Sequence, residues 1–321
     1  MIIINAFVIG CGRWGTFIGW YLDQLGHNVS IYGRENSVNL KELMTARKNK
    51  YLTLSDSIML TTNLSGINSC DAVFISVNSQ GLRKLCEELN KYDMDNKYVV
   101  LCMKGIEADT CKRLSEVAAE CIKSNIKICV WLGPGHVQDY VRGIPNCMVI
   151  DSLDEDSRNF MVNELSGGII RFYYGIDLIG NEIGAAAKNV IGIAAGMLDG
   201  LNMSSLKGPL MTRATRELYR LIDRCGGNPI SAYGLCHLGD YEATIFSEYS
   251  NNRRYGENII LKKENFALAE GVETAKAMYR MSKERDVDMP ICTAVYSVLY
   301  ENANPSDTLM NLFNRPIKQE Y

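Results

Sequence analysis

Short apolar runs separated by helix-length segments fill the first half of this sequence. Within residues 2–150 they read IIINAFVI, NVSIY, AVFISV, YVVLC, KICVWL and CMVI, and a further run, IIRFYY, follows at residues 169–174. Strands that alternate with helices predict a parallel sheet, and near-continuous apolar runs are typical of strands covered on both faces. We therefore expect a mostly parallel α/β domain in this half of the chain.

The pattern changes near Ile176. From there on apolar residues recur every three to four positions, as in TRATRELYRLIDRCGG and NFALAEGVETAKAMYRMSKERDVD, which is the period of a helix with one buried face. Gly226-Gly227 indicates a helix end, and Pro290 indicates a restart. Because 321 residues are more than one core usually supports, we predict an α/β domain over residues 1–176 and an all-α domain over residues 177–321.

Three glycines directly follow the first apolar run. Gly10, Gly12 and Gly15 form a G-x-G-x-x-G pattern between a predicted strand and a predicted helix. In that setting the first glycine allows a tight turn, the second lets the backbone approach a pyrophosphate, and the third lets the helix pack on the strand. The alternative is a tight strand–helix turn that binds nothing. Because the motif opens an alternating β/α chain, it favours a Rossmann dinucleotide-binding domain.

The end of the second apolar run bears on which dinucleotide binds. NAD-specific domains usually carry an acidic residue there, whose carboxylate binds the ribose 2′-hydroxyl. Here Tyr32 and Gly33 are followed by Arg34 and Glu35. An arginine suits a 2′-phosphate and favours NADP, although Arg34 could equally be a solvated loop charge, and Glu35 keeps NAD open. The predicted cofactor is NADP or NAD.

Composition narrows the range of partners. Hydrophobic residues make up 47% of the chain and charged residues 22%, which is ordinary for a globular protein. A formal net charge of -3 argues against a broad nucleic-acid surface and favours a small anionic ligand. The apolar stretch 183–198 contains Lys188 and is too short to span a membrane. Eleven cysteines, an odd number without a C-x-x-C pair, indicate reduced thiols in the cytoplasm, and no metal site is predicted.

Polar segments follow three of the predicted strands, at residues 78–80, 103–107 and 133–136. Ligands collect at the carboxyl ends of parallel strands, so we expect these segments to surround one crevice. Lys188 is the only charged residue between Glu182 and Asp199. Burial would lower the pKa of its ammonium toward the range useful for proton transfer. The alternative is a lysine that extends from the edge of a core helix into solvent.

A set of motifs runs in order along nearly the whole chain: GCGRWGT, SVNSQ, KGIEADT, GPG, AAAKNVIGIAAGMLDGL, TRATRELYRL, GLCHLGD, NNRRYG, AEGVET and MPICTAVYSVLY. Through these motifs the chain resembles the bacterial NAD(P)-dependent glycerol-3-phosphate dehydrogenases. The resemblance implies reversible hydride transfer between NAD(P)H and dihydroxyacetone phosphate, which yields sn-glycerol 3-phosphate for phospholipid synthesis. It also implies a possible homodimer.

The same resemblance implies residue roles. Lys188 matches the general acid, Lys104 the second lysine that polarises the carbonyl, and Asp240 the carboxylate that orients the lysine and binds a substrate hydroxyl. The implied substrate-binding residues are Lys104, Asn189, Thr244, Asn252 and Arg253. The implied cofactor-binding residues are Gly10, Gly12, Arg13, Trp14, Gly15, Arg34, Ser79, Lys104, Gly133, Gly135, Val137, Asn251 and Glu270.

Two segments depart from the family pattern. The family usually reads Ser-Arg-Asn-Arg where residues 250–253 read Ser-Asn-Asn-Arg. Asn251 therefore stands where the family has an arginine that is expected to bind the substrate phosphate or to lie beside the cofactor, and an amide cannot form that charged bidentate pair. Arg253 or Arg254 could supply that charge. The family also usually has a serine before the Gly-Pro pair and another after it, where this chain has Leu132 and Gly135. His136 comes next, either as a substrate or proton-relay group or as an ordinary loop residue.

Two other functions fit parts of the pattern. Asn251 leaves open a paralogous reductase of another small keto or hydroxy acid. A dinucleotide-sensing protein would need the glycine motif but not two lysines at the reacting end, so retention of Lys104 and Lys188 speaks against it.

Overall fold

A computed structural model describes residues 2–263, 268–317 and 319–320 of the chain. An eight-stranded sheet in the order β3-β2-β1-β4-β5-β6-β7-β8 forms the first half. Neighbouring strands are parallel except for β6 and β7, which confirms the predicted mostly parallel sheet. The strands are β1 (Asn5–Ile9), β2 (Asn28–Tyr32), β3 (Met59–Thr61), β4 (Ala72–Ile75), β5 (Tyr98–Leu101), β6 (Lys127–Leu132), β7 (Asn146–Asp151) and β8 (Ile170–Tyr174).

Both faces of the sheet are buried, as the apolar runs predict. Along β1, Ala6 and Val8 belong to one hydrophobic cluster, whereas Phe7 and Ile9 belong to another. Alternate residues of a strand point to opposite faces, so the two clusters lie on opposite sides of the sheet. The helices of this half are α1 (Arg13–Gln24), α2 (Val38–Ala46), α3 (Leu82–Leu89), α4 (Leu114–Cys121), α5 (Val137–Val141) and α6 (Glu155–Leu165).

All the regular secondary structure among the described residues of the second half is helical, which confirms the predicted all-α region. Its α-helices are α7 (Leu178–Gly200), α8 (Lys207–Arg224), α9 (Asn251–Ile260), α10 (Gly271–Glu284), α11 (Pro290–Tyr300) and α12 (Pro305–Asn311). Helix α8 ends just before Gly226 and α11 begins at Pro290, as predicted. The part of the helical pattern on residues 265–267 lies outside the described residues. None of the described helices has the length and apolar character needed to cross a bilayer.

Helix α7 is the core of the helical half and sets the position of α9. A Cβ on Gly196 would lie 1.8 Å from the carbonyl oxygen of Arg253, and one on Gly256 would lie 2.0 Å from that of Ile193. Real Cβ atoms cannot approach so closely, so glycine at both positions lets the two helix backbones touch. This contact holds α9 against the C-terminal half of α7, the helix that carries Lys188.

The last strand ends at Tyr174 and α7 begins at Leu178. The predicted domain boundary at residue 176 falls between them and stays a prediction. Helix α7 also contacts the sheet domain directly, because the buried Glu182 carboxylate accepts hydrogen bonds from Arg113 and Ser115 at the start of α4.

Candidate active site

The glycine turn after β1 has the shape that a diphosphate requires. Gly10 has a φ of +118°, and a Cβ there would lie 2.1 Å from the carbonyl oxygen of Ser76. A Cβ on Gly15 would lie 1.9 Å from the carbonyl oxygen of Gly10, so both positions are closed to any side chain. By contrast, a Cβ on Gly12 would meet no atom within 4 Å, and α1 begins at the next residue without a side-chain cap. The helix amides therefore face open space that an anion can enter.

A cleft with a volume of about 520 Å³ extends from this turn to the helical domain. It lies at the carboxyl ends of β1, β4, β5 and β6, where a parallel sheet places its ligands. The cleft brings together thirteen of the residues predicted to act in the site: Gly12, Arg13, Trp14, Lys104, Gly135, Val137, Lys188, Asn189, Asp240, Thr244, Asn251, Asn252 and Glu270.

Other predicted site residues lie behind the lining or beyond it. Gly10 and Gly15 support the turn from behind, and the carbonyl of Gly133 accepts a hydrogen bond of 2.6 Å from Lys104. Ser79 is buried after β4, and Arg34 is exposed after β2. Their predicted roles toward the cofactor stay predictions.

Two ammonium groups meet one carboxylate oxygen at the centre of the cleft. Lys188 Nζ lies 2.5 Å from Asp240 Oδ2, and Lys104 Nζ lies 2.7 Å from the same atom. Lys188 also donates a hydrogen bond of 2.9 Å to Thr244 Oγ1. Thus a residue of α7, a residue after β5 and two residues of the segment between α8 and α9 converge at one point.

Local backbone geometry places two of these groups. Asp240 ends a short 3₁₀ turn, Leu238–Asp240, and Thr244 lies in a single π-helical turn, Glu242–Phe246. Such π turns are uncommon and are frequent at functional sites. Here the turns direct both side chains at Lys188. No periodic sequence pattern predicts this geometry.

Burial makes the Lys188 ammonium a usable acid. The residue is 7% exposed, and burial lowers the pKa of its ammonium to about 8. The Asp240 carboxylate opposes this effect, and the nearby Lys104 charge adds to it. A pKa near the operating pH is the condition for efficient general acid–base catalysis.

Asp240 keeps one oxygen free of protein partners. Its side chain is 1% exposed, and Oδ1 has no hydrogen-bond partner among the described residues although Oδ2 contacts both lysines. Buried polar atoms are rarely left unpaired, so this one is available to a ligand. A hydroxyl group that enters the cleft can donate to it.

A chain of amides connects the lysines to α9. Asn189 donates to the carbonyl of Lys104 over 3.4 Å and accepts a hydrogen bond of 3.0 Å from Asn252. Asn252 in turn accepts a hydrogen bond of 2.9 Å from the backbone amide of Gly271. These contacts fix both asparagines in the wall of the cleft.

The two arginines of α9 point in different directions. Arg253 is not among the lining residues, since its guanidinium lies 2.5 Å from Asp199 and donates to the carbonyl of Ser247. The substrate-binding role predicted for Arg253 stays a prediction. Arg254 does line the cleft and donates a hydrogen bond of 2.6 Å to Asn251 Oδ1.

Two more titratable groups border the cleft. Burial raises the pKa of Glu270 to about 7, and Lys104 opposes that shift. Burial, together with Lys188 and Arg13, lowers the pKa of His136 to about 4, so its ring is neutral near pH 7. His136 Nε2 is buried without a hydrogen-bond partner among the described residues. Tyr51 and Tyr249 also line the cleft, and no sequence motif singles them out.

Comparison with known proteins agrees with this geometry. The family model described as the N-terminus of NAD-dependent glycerol-3-phosphate dehydrogenase matches residues 5–158, and the model of its C-terminus matches residues 177–310. A protein of Thermoanaerobacter sp. (strain X514), named glycerol-3-phosphate dehydrogenase [NAD(P)+], is 35% identical over 325 residues, which cover 98% of each chain. A protein of the same name from Exiguobacterium sp. (strain ATCC BAA-1283 / AT1b) is 36% identical, covering 98% of this chain and 97% of that one.

A solved structure shows the same fold. The crystal structure of glycerol-3-phosphate dehydrogenase from Coxiella burnetii superimposes with a TM-score of 0.90 at 22% identity, covering 98% of this chain and 99% of that one. Two family models match the chain, and relatives of the same name are similar to it over nearly its full length. The glycine turn and the two lysines on one carboxylate are consistent with these matches. This chain belongs to the NAD-dependent glycerol-3-phosphate dehydrogenase family.

Proposed function

We propose that this protein reduces dihydroxyacetone phosphate to sn-glycerol 3-phosphate with NADPH or NADH, in the service of phospholipid precursor synthesis. The single observation that carries the proposal is the contact of Lys104 and Lys188 with one oxygen of Asp240, whose other oxygen has no hydrogen-bond partner among the described residues. Such a site offers two cations and an acceptor to a substrate with a carbonyl beside a hydroxyl. Dihydroxyacetone phosphate has that arrangement.

The residues divide the chemistry between them. When bound, a nicotinamide cofactor would supply the hydride for the C2 carbonyl carbon of the substrate, and negative charge would develop on the carbonyl oxygen. Lys188 gives that oxygen its proton, and Lys104 stabilises the charge as it forms. Asp240 Oδ1 accepts a hydrogen bond from the substrate hydroxyl, which orients the carbonyl toward the lysines. In the reverse direction, neutral Lys188 removes the hydroxyl proton.

The glycine turn and the residues around it would hold the cofactor. Gly12 leaves space beside the start of α1, and Arg13 and Trp14 border that space. Exposed Arg34 follows β2, where a 2′-phosphate would lie, so NADPH is the preferred cofactor in this proposal. Replacing Arg34 with Asp should shift the preference toward NADH.

The test is an assay of the purified chain with dihydroxyacetone phosphate and each reduced cofactor, followed by nicotinamide absorbance. We expect turnover that Lys188→Met abolishes and that Lys276→Met, a surface change on α10, leaves intact. If the wild-type protein oxidises no more cofactor than Lys188→Met, the proposal is rejected.

A second candidate is a reductase of a non-phosphorylated keto acid. Asn251 favours it, because this residue removes a charge from the cleft wall. Faster turnover of a keto acid such as ketopantoate than of dihydroxyacetone phosphate would select this alternative. Tight cofactor binding without reduction of any tested carbonyl would instead select the sensor function.

We also place the enzyme in the cytoplasm as a homodimer. Eleven free cysteines are compatible with a reducing compartment. Edge strand β8 exposes 43% of Tyr173 and 49% of Tyr174, and the nearby Ile176 is 84% exposed. Exposed apolar groups at a sheet edge favour association. Light scattering on the purified protein measures the mass that decides this point.

A further inference from the structure

The geometry points to Arg254 as the residue that binds the substrate's phosphate group and so makes the enzyme selective for a phosphorylated substrate. This inference rests on the proposed function. It starts from the two arginines that follow Asn251 and from the different surroundings of their guanidinium groups.

Arg253 is already neutralised. Its guanidinium contacts Asp199, which also contacts Lys207, and it lies 3.5 Å from Glu257 one turn later in α9. If a ligand drew Arg253 away, the largely buried Asp199 carboxylate would keep only Lys207 as a cationic partner. Arg253 therefore serves the packing of α7 against α9.

Arg254 has no such partner. Its guanidinium donates to the side-chain oxygen of Asn251, and no described carboxylate forms an ion pair with it. The residue lies in the first turn of α9, where the helix dipole disfavours a cation. A bound anion would relieve that effect and use the donors of the guanidinium that Asn251 leaves free.

The other cations of the cleft are accounted for. Lys104 and Lys188 both contact Asp240. Arg13 lacks a carboxylate partner among the described residues but lies at the start of α1, on the side of the glycine turn. Among the described residues on the helical side of the cleft, Arg254 is thus the cation without a carboxylate partner, and it can bind the phosphate group of a substrate whose carbonyl lies at the two lysines.

Asn251 takes part in this arrangement as a support. Its Nδ2 donates a hydrogen bond of 3.3 Å to the carbonyl of Leu268, which leaves Oδ1 directed at Arg254. Asn251 is smaller than the arginine that the family usually has at this position, and it holds the guanidinium of Arg254, three residues later in the chain. The cleft wall therefore keeps a positive charge, at position 254 instead of position 251.

The experiment compares dihydroxyacetone phosphate with dihydroxyacetone, which lacks the phosphate, in the wild-type protein and in Arg254→Gln. Removing a charge-assisted contact should lower kcat/KM for the phosphorylated substrate roughly 10- to 100-fold, mainly through KM. The loss for dihydroxyacetone should be several times smaller. Arg224→Gln, at an exposed position in the last turn of α8, is the matched control and should behave as the wild-type protein does. Equal losses on both substrates, or an unchanged KM for dihydroxyacetone phosphate, would overturn the inference.

Two further measurements keep the result unambiguous. Asn251→Asp leaves Arg254 in place but gives it a carboxylate partner, so KM for dihydroxyacetone phosphate should rise, and no rise counts against the inference. Fluorescence titration with NADH and NADPH measures cofactor affinity. It therefore shows whether Arg254 binds the phosphate of the substrate or the diphosphate of the cofactor. A loss confined to cofactor affinity in Arg254→Gln would assign the residue to the cofactor and overturn the inference.

Binding of inorganic phosphate needs no turnover and separates failure of this inference from failure of the proposed function. Calorimetry on the full chain with cofactor present should show phosphate binding that Arg254→Gln weakens roughly 10-fold or more. Equal affinity in the two proteins, or no binding by the wild-type protein, would overturn the inference even if reductase activity is found.

Discussion

Lys188 Nζ lies 2.5 Å from Asp240 Oδ2, and 52 residues of sequence separate the two groups. Two opposing effects set the pKa of the Lys188 ammonium. Burial lowers this pKa and the Asp240 carboxylate raises it, and the result is a pKa of about 8. The lysine can therefore exchange a proton near neutral pH. Two predictions depend on this balance.

The first concerns the pH dependence of turnover in the two directions. Carbonyl reduction requires the protonated ammonium, so kcat for reduction should be constant below pH 8 and fall above it. Oxidation of glycerol 3-phosphate requires the neutral amine, so its kcat should rise through the same region. Steady-state kinetics in both directions over a pH series measures this. Parallel profiles in the two directions would show that Lys188 is not the group that transfers the proton.

The second concerns removal of the carboxylate. Asp240→Asn keeps the shape of the side chain but removes the charge that raises the pKa of Lys188, so the reduction profile should fall off at lower pH. We expect kcat to decrease roughly 100-fold or more, since both lysines lose their common partner. Asp56→Asn, at a fully exposed position, is the control. An unchanged pH profile in Asp240→Asn would mean that another group sets the pKa.

Much of this site follows from sequence patterns, and some of it does not. A functional role for Lys188 can be predicted because a single charged residue inside an apolar helix is costly to bury without a partner. Lys104 and Asp240 are 136 residues apart, so their contact is implied only by the family resemblance. Arg253 and Arg254 are adjacent in sequence, yet they point in different directions because successive helical residues are rotated by roughly 100°.

The fold shows the same division. Seven strands follow from apolar runs, but β3 has three residues, Met59–Thr61, with no such run to reveal it. The antiparallel pairing of β6 with β7 depends on the path of the intervening chain, which composition does not encode. The buried Glu217 has no sequence signature either, because a glutamate on the helix pattern of α8 is normally exposed.

The glycine turn offers a pair of substitutions with opposite outcomes. Gly10→Ala should destabilise the fold, because its φ is +118° and its Cβ would overlap the carbonyl oxygen of Ser76. Gly12→Ala should leave the melting temperature near the wild-type value but weaken cofactor binding, because its Cβ enters the space left for the diphosphate. Thermal unfolding and fluorescence titration of both variants measure the two effects. Unchanged cofactor affinity in Gly12→Ala would place the diphosphate elsewhere.

The last prediction concerns stability rather than catalysis and centres on Glu217 of α8. The residue is 2% exposed, and its carboxyl group accepts hydrogen bonds of 2.7 and 3.3 Å from the backbone amides of Ile291 and Cys292 at the start of α11. Burial raises the pKa of this carboxyl from 4.5 to about 8, and the two amides oppose the shift. Between these two values the folded protein keeps a proton that the unfolded chain releases. The stabilising effect is therefore complete below pH 4.5 and is lost as the pH rises toward 8, with a slope of at most about 1.4 kcal/mol per pH unit.

Glu217→Gln keeps an oxygen for the amide of Ile291 and cannot ionise. The difference in unfolding free energy between variant and wild type should therefore grow in favour of the variant across this pH range. Urea unfolding of both proteins at a series of pH values isolates this group from the other buried carboxyls, and a constant difference would show that Glu217 is ionised in the folded protein.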